Sequence, residues 1–177
     1  ATDVDNMRVN VYDGQGEFLY QWGEEGLNPG QFNAPHGIFV DRNSDVFVTG
    51  YYGPTQKFDA KGKLHVDVLK VQHHGSEHNH NVSMAERVTA DNYIFCGNGK
   101  HDNPDTQVVK LICESHRKIR PKDTFTLWFN CAPELAPVGK PRAYMKKVKK
   151  EVDDQIAAAG GKIKATYLNK SYFDLTI

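Results

Sequence analysis

The chain changes texture at Leu64, and separate periodicities mark separate architectures. Up to that point it is strand-like and punctuated by glycine. Arg8-Val9-Asn10-Val11-Tyr12 and Glu17-Phe18-Leu19-Tyr20-Gln21-Trp22 are short alternating runs. Asp13-Gly14-Gln15-Gly16 between them is a tight-turn signal, so a β-hairpin is expected. Gly37-Ile38-Phe39-Val40 and Asp45-Val46-Phe47-Val48 flank a second turn, Asp41-Arg42-Asn43-Ser44. Thr55-Gln56-Lys57-Phe58-Asp59 then meets a third at Ala60-Lys61-Gly62.

Beyond Lys63 strands and helices alternate, which is the α/β signature. Val66 to Val71 suits a buried strand, and Tyr93 to Cys96 another. Between them Ser83-Met84-Ala85-Glu86 reads as a capping box opening a short helix. Asn103-Pro104-Asp105 predicts the next helix start, with Asn103 as its N-cap. Thr124 to Asn130 is a strand, followed by a proline-rich loop. A long amphipathic helix carries Met145, Val148, Val152 and Ile156 at helical spacing and ends at Gly160-Gly161. Its Lys146, Lys147, Lys149 and Lys150 are offset by Glu151, Asp153 and Asp154, so a solvated face is expected. Ile163, Ala165 and Tyr167, then Phe173, Leu175 and Ile177, alternate as two closing strands around an Asn169-Lys170 turn.

The first segment nearly repeats itself. Val9-x-Val11-Tyr12-Asp13-x-x-Gly16 returns as Gln56-Lys57-Phe58-Asp59-x-x-Gly62, about 46 residues later, close to a propeller-blade period. Gly30-Gln31-Phe32-Asn33-x-Pro35-x-Gly37-Ile38-x-Val40-Asp41 resembles the blade-opening consensus of NHL-repeat β-propellers. The resemblance spans residues 1–64, about one and a half blades, which is too few to close a ring. It implies a binding surface, with exposed strand edges open to a protein partner or to self-association.

The chemistry concentrates in Asp67-Val68-Leu69-Lys70-Val71-Gln72-His73-His74-Gly75-Ser76. A buried strand ending in histidines puts imidazoles at the sheet's carboxyl edge, and the glycine lets the backbone turn beside whatever they bind. Further polar donors follow at His78 and His80, then in Gly97-Asn98-Gly99-Lys100-His101-Asp102. On spacing alone, metal binding and a merely polar surface loop both stay open. The stretch Val66 to His78, with the downstream Gly97-Asn98-Gly99-Lys100-His101-Asp102-Asn103-Pro104, resembles the His-His-Gly-Ser branch of metallo-β-lactamase-fold hydrolases.

That resemblance implies zinc, with His73 as a metal ligand and His74 as the alternative. It implies His101 as a substrate-positioning or proton-donating catalytic group, and Ser76 as a loop-orienting residue. It also marks what is missing. The family's opening His-x-His-x-Asp-His cluster does not occur, and His78-Asn79-His80 lacks the Asp-His that should follow. Glu77 to His80 is therefore expected to be an ordinary polar loop. The expected fold is mixed (α+β). Antiparallel, partly propeller-like hairpins over residues 1–64 precede half of a metallo-β-lactamase-type αβ sandwich over residues 65–177. The implied function is an incomplete hydrolase, inactive alone. The alternatives are a non-enzymatic interaction or scaffold module and a composite chimera without selected function.

Composition narrows the rest. Twenty-two basic residues balance twenty-two acidic ones, which leaves no global footprint for nucleic acid or an anionic membrane. No apolar run reaches the ~18 residues of a membrane span. Cys96, Cys113 and Cys131 are widely spaced and expected to be free.

Overall fold

The computed structural model describes residues 1–52, 55–59, 61–77 and 80–168. The fold is mixed α/β, and the chain divides into two compact units, Ala1–His65 and Val66–Ile177. Among the described residues, no helix is long and apolar enough to cross a membrane.

The first unit holds two three-stranded antiparallel sheets. One joins β1 (Thr2–Asp3), β2 (Arg8–Tyr12) and β3 (Phe18–Trp22) in that order. The other joins β4 (Pro35–Val40), β5 (Val46–Gly50) and β6 (Gln56–Phe58). Trp22 of β3 and Phe58 of β6 turn inward onto a shared aromatic cluster, while β2 and β5 bury Val9 and Val48. Trp22, Phe32 and Phe58 form that cluster, with ring centroids 4.6 to 5.6 Å apart. The Gln56 side chain pins the Gly/Pro loop to β6: its oxygen accepts the Gly30 N–H at 2.7 Å and its nitrogen donates to the Gln31 carbonyl at 2.7 Å.

Three turns in this unit are one device. The Asp13 carboxylate accepts the N–H groups of Gln15 and Glu17, Asp41 those of Asn43 and Asp45, and Asp59 those of Lys61 and Lys63. In each, the Asp carbonyl accepts the N–H three residues on, from Gly16, Ser44 or Gly62. That fourth position is left-handed, with φ of 89°, 66° and 73°. Glycine suits it twice; Ser44 does not, because its Cβ meets the backbone there. Ser44→Gly is expected to stabilise the first unit by about 1 kcal/mol, read as a raised unfolding midpoint.

In the second unit β7 (Leu64–Lys70), which begins at the division, β8 (Val88–Phe95), β9 (Phe125–Phe129) and β10 (Ile163–Tyr167) form one sheet in the order β10-β9-β8-β7. β8–β9 and β9–β10 are parallel. The crossovers are α1 (Val82–Arg87), α2 (Thr106–Ile119) and α3 (Lys140–Ala158), and α2 packs against both other helices. Phe95 stacks on Phe129 and Phe129 on Tyr167 across the sheet. His116 of α2 stacks on Phe125 at 4.0 Å, which fixes that face of the sheet under the helix. The buried Tyr93 hydroxyl bridges the two layers: it accepts the Ala90 N–H at 3.0 Å and lies 3.0 Å from His116 Nδ1. Tyr93→Phe removes this shared partner from both groups and should cost about 2 kcal/mol, measured by chemical denaturation.

Two helix starts differ from the sequence expectation. α1 is capped by Asn81, whose side chain accepts the Met84 N–H, so Ser83 lies inside the helix rather than at its cap. α2 is capped by Asp105, whose side chain accepts the Gln107 N–H, and Pro104 stands outside it. In both, a short side chain three residues before the first buried apolar residue, Met84 or Val108, wins the orphan N–H groups. α3 ends as its glycines predict, with Gly160 and Gly161 left-handed after Ala159. Gln155, rather than Ile156, is its most C-terminal fully buried residue. Its Lys149 and Lys150 pair with Asp153 and Asp154 at 2.8 and 2.6 Å, a solvated face. The cysteines are free, and burial pushes the Cys113 thiol up to about 12. The expected second closing strand and its Asn169-Lys170 turn lie outside the described residues.

Candidate functional site

Parallel strands deliver their carboxyl ends to one edge of a sheet, where the connecting loops can build a cleft. Here the segments that follow β7, β8 and β9 meet around a cleft of about 410 Å³. β7 contributes His73 and His74, β8 contributes Lys100 and His101 among others, and β9 contributes Asn130. The two sequence stretches singled out for their histidines thus share one cavity, although about 27 residues separate them. Ser76 is buried, and its N–H donates to the His73 carbonyl at 3.1 Å.

Both loops are held in a costly backbone conformation. His73 and His74 have φ of 44° and 59°, and His101 and Asp102 have φ of 60° and 56°. A left-handed non-glycine residue costs roughly 1 kcal/mol or more and persists only where its surroundings over-determine it. The surroundings here are specific. The Asp105 N–H at the cap of α2 donates to the Gly75 carbonyl at 2.8 Å, and the Gly99 N–H donates to the Asn103 carbonyl at 2.8 Å. Asp102 is anchored to Lys140 of α3 at 3.1 Å. A Cβ on Gly99 would stand 2.3 Å from the Pro141 carbonyl oxygen, and one on Gly97 would stand 2.6 Å from that of Asn103. Glycine is required at these two positions by close backbone approach. Gly99→Ala adds a left-handed strain to that clash and should destabilise the second unit by about 3 kcal/mol, visible as a lowered unfolding midpoint.

His74 Nδ1 lies 3.2 Å from the Cys96 carbonyl oxygen. A carbonyl can only accept, so Nδ1 carries the proton and Nε2 of the neutral ring keeps its lone pair. This is how a ligating histidine is commonly oriented by its outer partner. The His73 and His74 ring centroids are 6.2 Å apart, with planes at 65°. Among the described residues, however, no group of three or more His, Cys, Asp or Glu is placed to hold a metal ion. Two imidazoles fall short of the three protein ligands of a catalytic zinc, so the described residues do not by themselves fit that ion.

His80 departs from the polar loop expected for residues 77–80; His78 and Asn79 lie outside the described residues. It is 2% exposed, and among the described residues neither ring nitrogen has a hydrogen-bond partner. Burial pushes its pKa down to about 4. It does not line the cleft. Asn130, by contrast, reached the cleft without being singled out from the sequence. The available signal was a polar residue ending an apolar strand at the carboxyl edge of a parallel sheet. Compared with known protein families and with curated proteins, the chain matches no family model and no relative.

Proposed function

We propose that the second unit is the closing half of a metal-dependent hydrolase site of metallo-β-lactamase type, and that the chain alone does not turn over. The observation that carries this reading is the shared cleft, where His73, His74 and His101 converge on strained loops at the carboxyl edge of the sheet. His74, with its Nδ1 proton held by a carbonyl, is prepared to present Nε2, and His73 is its neighbour. His101 would position substrate. A bound zinc would supply a hydroxide nucleophile at neutral pH, but its remaining ligands have to come from a complementary half. Cobalt(II) uptake followed by absorption tests this: uptake is expected to be weak and to fall by more than roughly tenfold in His74→Ala. Uptake unchanged in a His73→Ala/His74→Ala double variant would overturn the proposal, and so would metal-dependent phosphodiester hydrolysis by the chain alone.

A second reading concerns the first unit, as a partial NHL-like surface that binds a protein partner or another copy. Two strands at the ends of their sheets favour it. β3 exposes Phe18, Leu19 and Tyr20, and β4 exposes Ile38, Phe39 and Val40, with Phe39 64% exposed. Exposed apolar strands at sheet edges invite pairing with another chain. Light scattering should show concentration-dependent assembly that Leu19→Lys and Phe39→Lys suppress; a strictly monomeric chain at all concentrations argues against it.

A further inference from the structure

The composition of the cleft assigns it a ligand class. Three histidines, one lysine and three asparagines (Asn98, Asn103, Asn130) line it, and no aspartate or glutamate does among the described residues. The nearest acid in sequence, Asp102, already has its charge answered by Lys140. Lys100 has no described carboxylate paired with it, whereas Lys140, Lys149 and Lys150 each have one. The Asn98 side chain accepts the Lys100 N–H at 3.1 Å, which holds the lysine's backbone at the cleft.

We infer that this cleft binds the phosphoryl oxyanion of a small phosphorylated molecule, with Lys100 as its charge partner and the asparagine side chains and His101 as hydrogen-bond donors. A phosphoryl group offers three acceptor oxygens, more than a carboxylate, and so matches a site rich in donors and poor in acids. A volume of about 410 Å³ admits a phosphoryl group with a small substituent. A polymer is disfavoured, because the chain carries no net charge and the lysines at positions 149 and 150 are spent on their own helix. The inference takes from the proposed hydrolase only that this cleft is the working site, and it names the substrate class as a small phosphate ester.

The test uses the whole chain stripped of metal with EDTA, so that it does not depend on the metal. Calorimetric titration with inorganic phosphate should saturate at one site, and Lys100→Met should weaken binding roughly tenfold. Lys100 is exposed, so the variant should fold as the parent does. Acetate at the same concentrations should not saturate. Absence of saturable phosphate binding, or equal affinity in Lys100→Met, overturns the inference. Acetate binding as tightly as phosphate also overturns it, as does a single-stranded oligonucleotide binding more tightly than phosphate. Phosphate binding in a chain that takes up no cobalt would remove the hydrolase reading and leave this one standing. Cobalt uptake without phosphate binding would do the reverse.

Discussion

Phe58→Ala is expected to destabilise the first unit by about 3–5 kcal/mol, enough to unfold much of it near room temperature. Phe58 is 1% exposed and touches both other rings of the small aromatic core, at 4.6 Å from Trp22 and 5.6 Å from Phe32. A unit of this size buries little else, so a lost phenyl ring is a large share of its stability. Phe58 also stands one residue before Asp59, whose carboxylate organises the last turn, and Gly62 of that turn lies so close to Trp22 that a Cβ there would collide with the indole. A cavity at Phe58 therefore loosens the turn together with the ring cluster. Trp22 fluorescence followed through denaturant unfolding, in a Trp128→Phe background so that one indole reports, gives the measurement. A midpoint within about 1 kcal/mol of the parent would show that the three rings are not the core of this unit.

Acid should weaken the second unit before its carboxylates are titrated. His80 has an ordinary pKa of 6.5 and is depressed to about 4 by burial. The unfolded chain therefore binds a proton that the folded one resists, and stability falls as pH drops below 6.5. The contribution is fully present above that value, about 2 kcal/mol of it is gone by about pH 5, and about 3 kcal/mol by about pH 4. Among the described residues, neither imidazole nitrogen has a partner to offset the charge. Denaturant midpoints between pH 7 and 5 should slope downward in the parent and flatten in His80→Leu, which keeps an apolar volume and removes the titration. Equal slopes in the two proteins would place the imidazole in contact with water.

Much of the architecture was legible because local patterns and tertiary packing agree. Alternation in Arg8–Tyr12 and Phe18–Trp22 gave a hairpin, and helical spacing of Met145, Val148 and Val152 gave α3 its buried stripe. All three turns, at Asp13, Asp41 and Asp59, were legible as turns, but only two of them carry the Asp-x-x-Gly pattern, so that Ser44 adopts the same left-handed position was decided by the backbone. Helix caps were misplaced because several short polar residues stand near each start. Only the surrounding backbone decides which of them reaches a free N–H.

By itself the sequence determined that imidazoles would follow β7 and β8, and that glycine-punctuated strands would give way to alternating strands and helices near Leu64. Those are statements about order and residue type along a line. The parallel sheet decided that His73, His74, Lys100, His101 and Asn130 would share a cavity, since residues distant in sequence meet only where strands end side by side. It decided, too, that a carbonyl holds the His74 Nδ1 proton, and that His80 is sealed away from water. Proximity, tautomer and burial are properties of neighbours in space, and no spacing of letters fixes them.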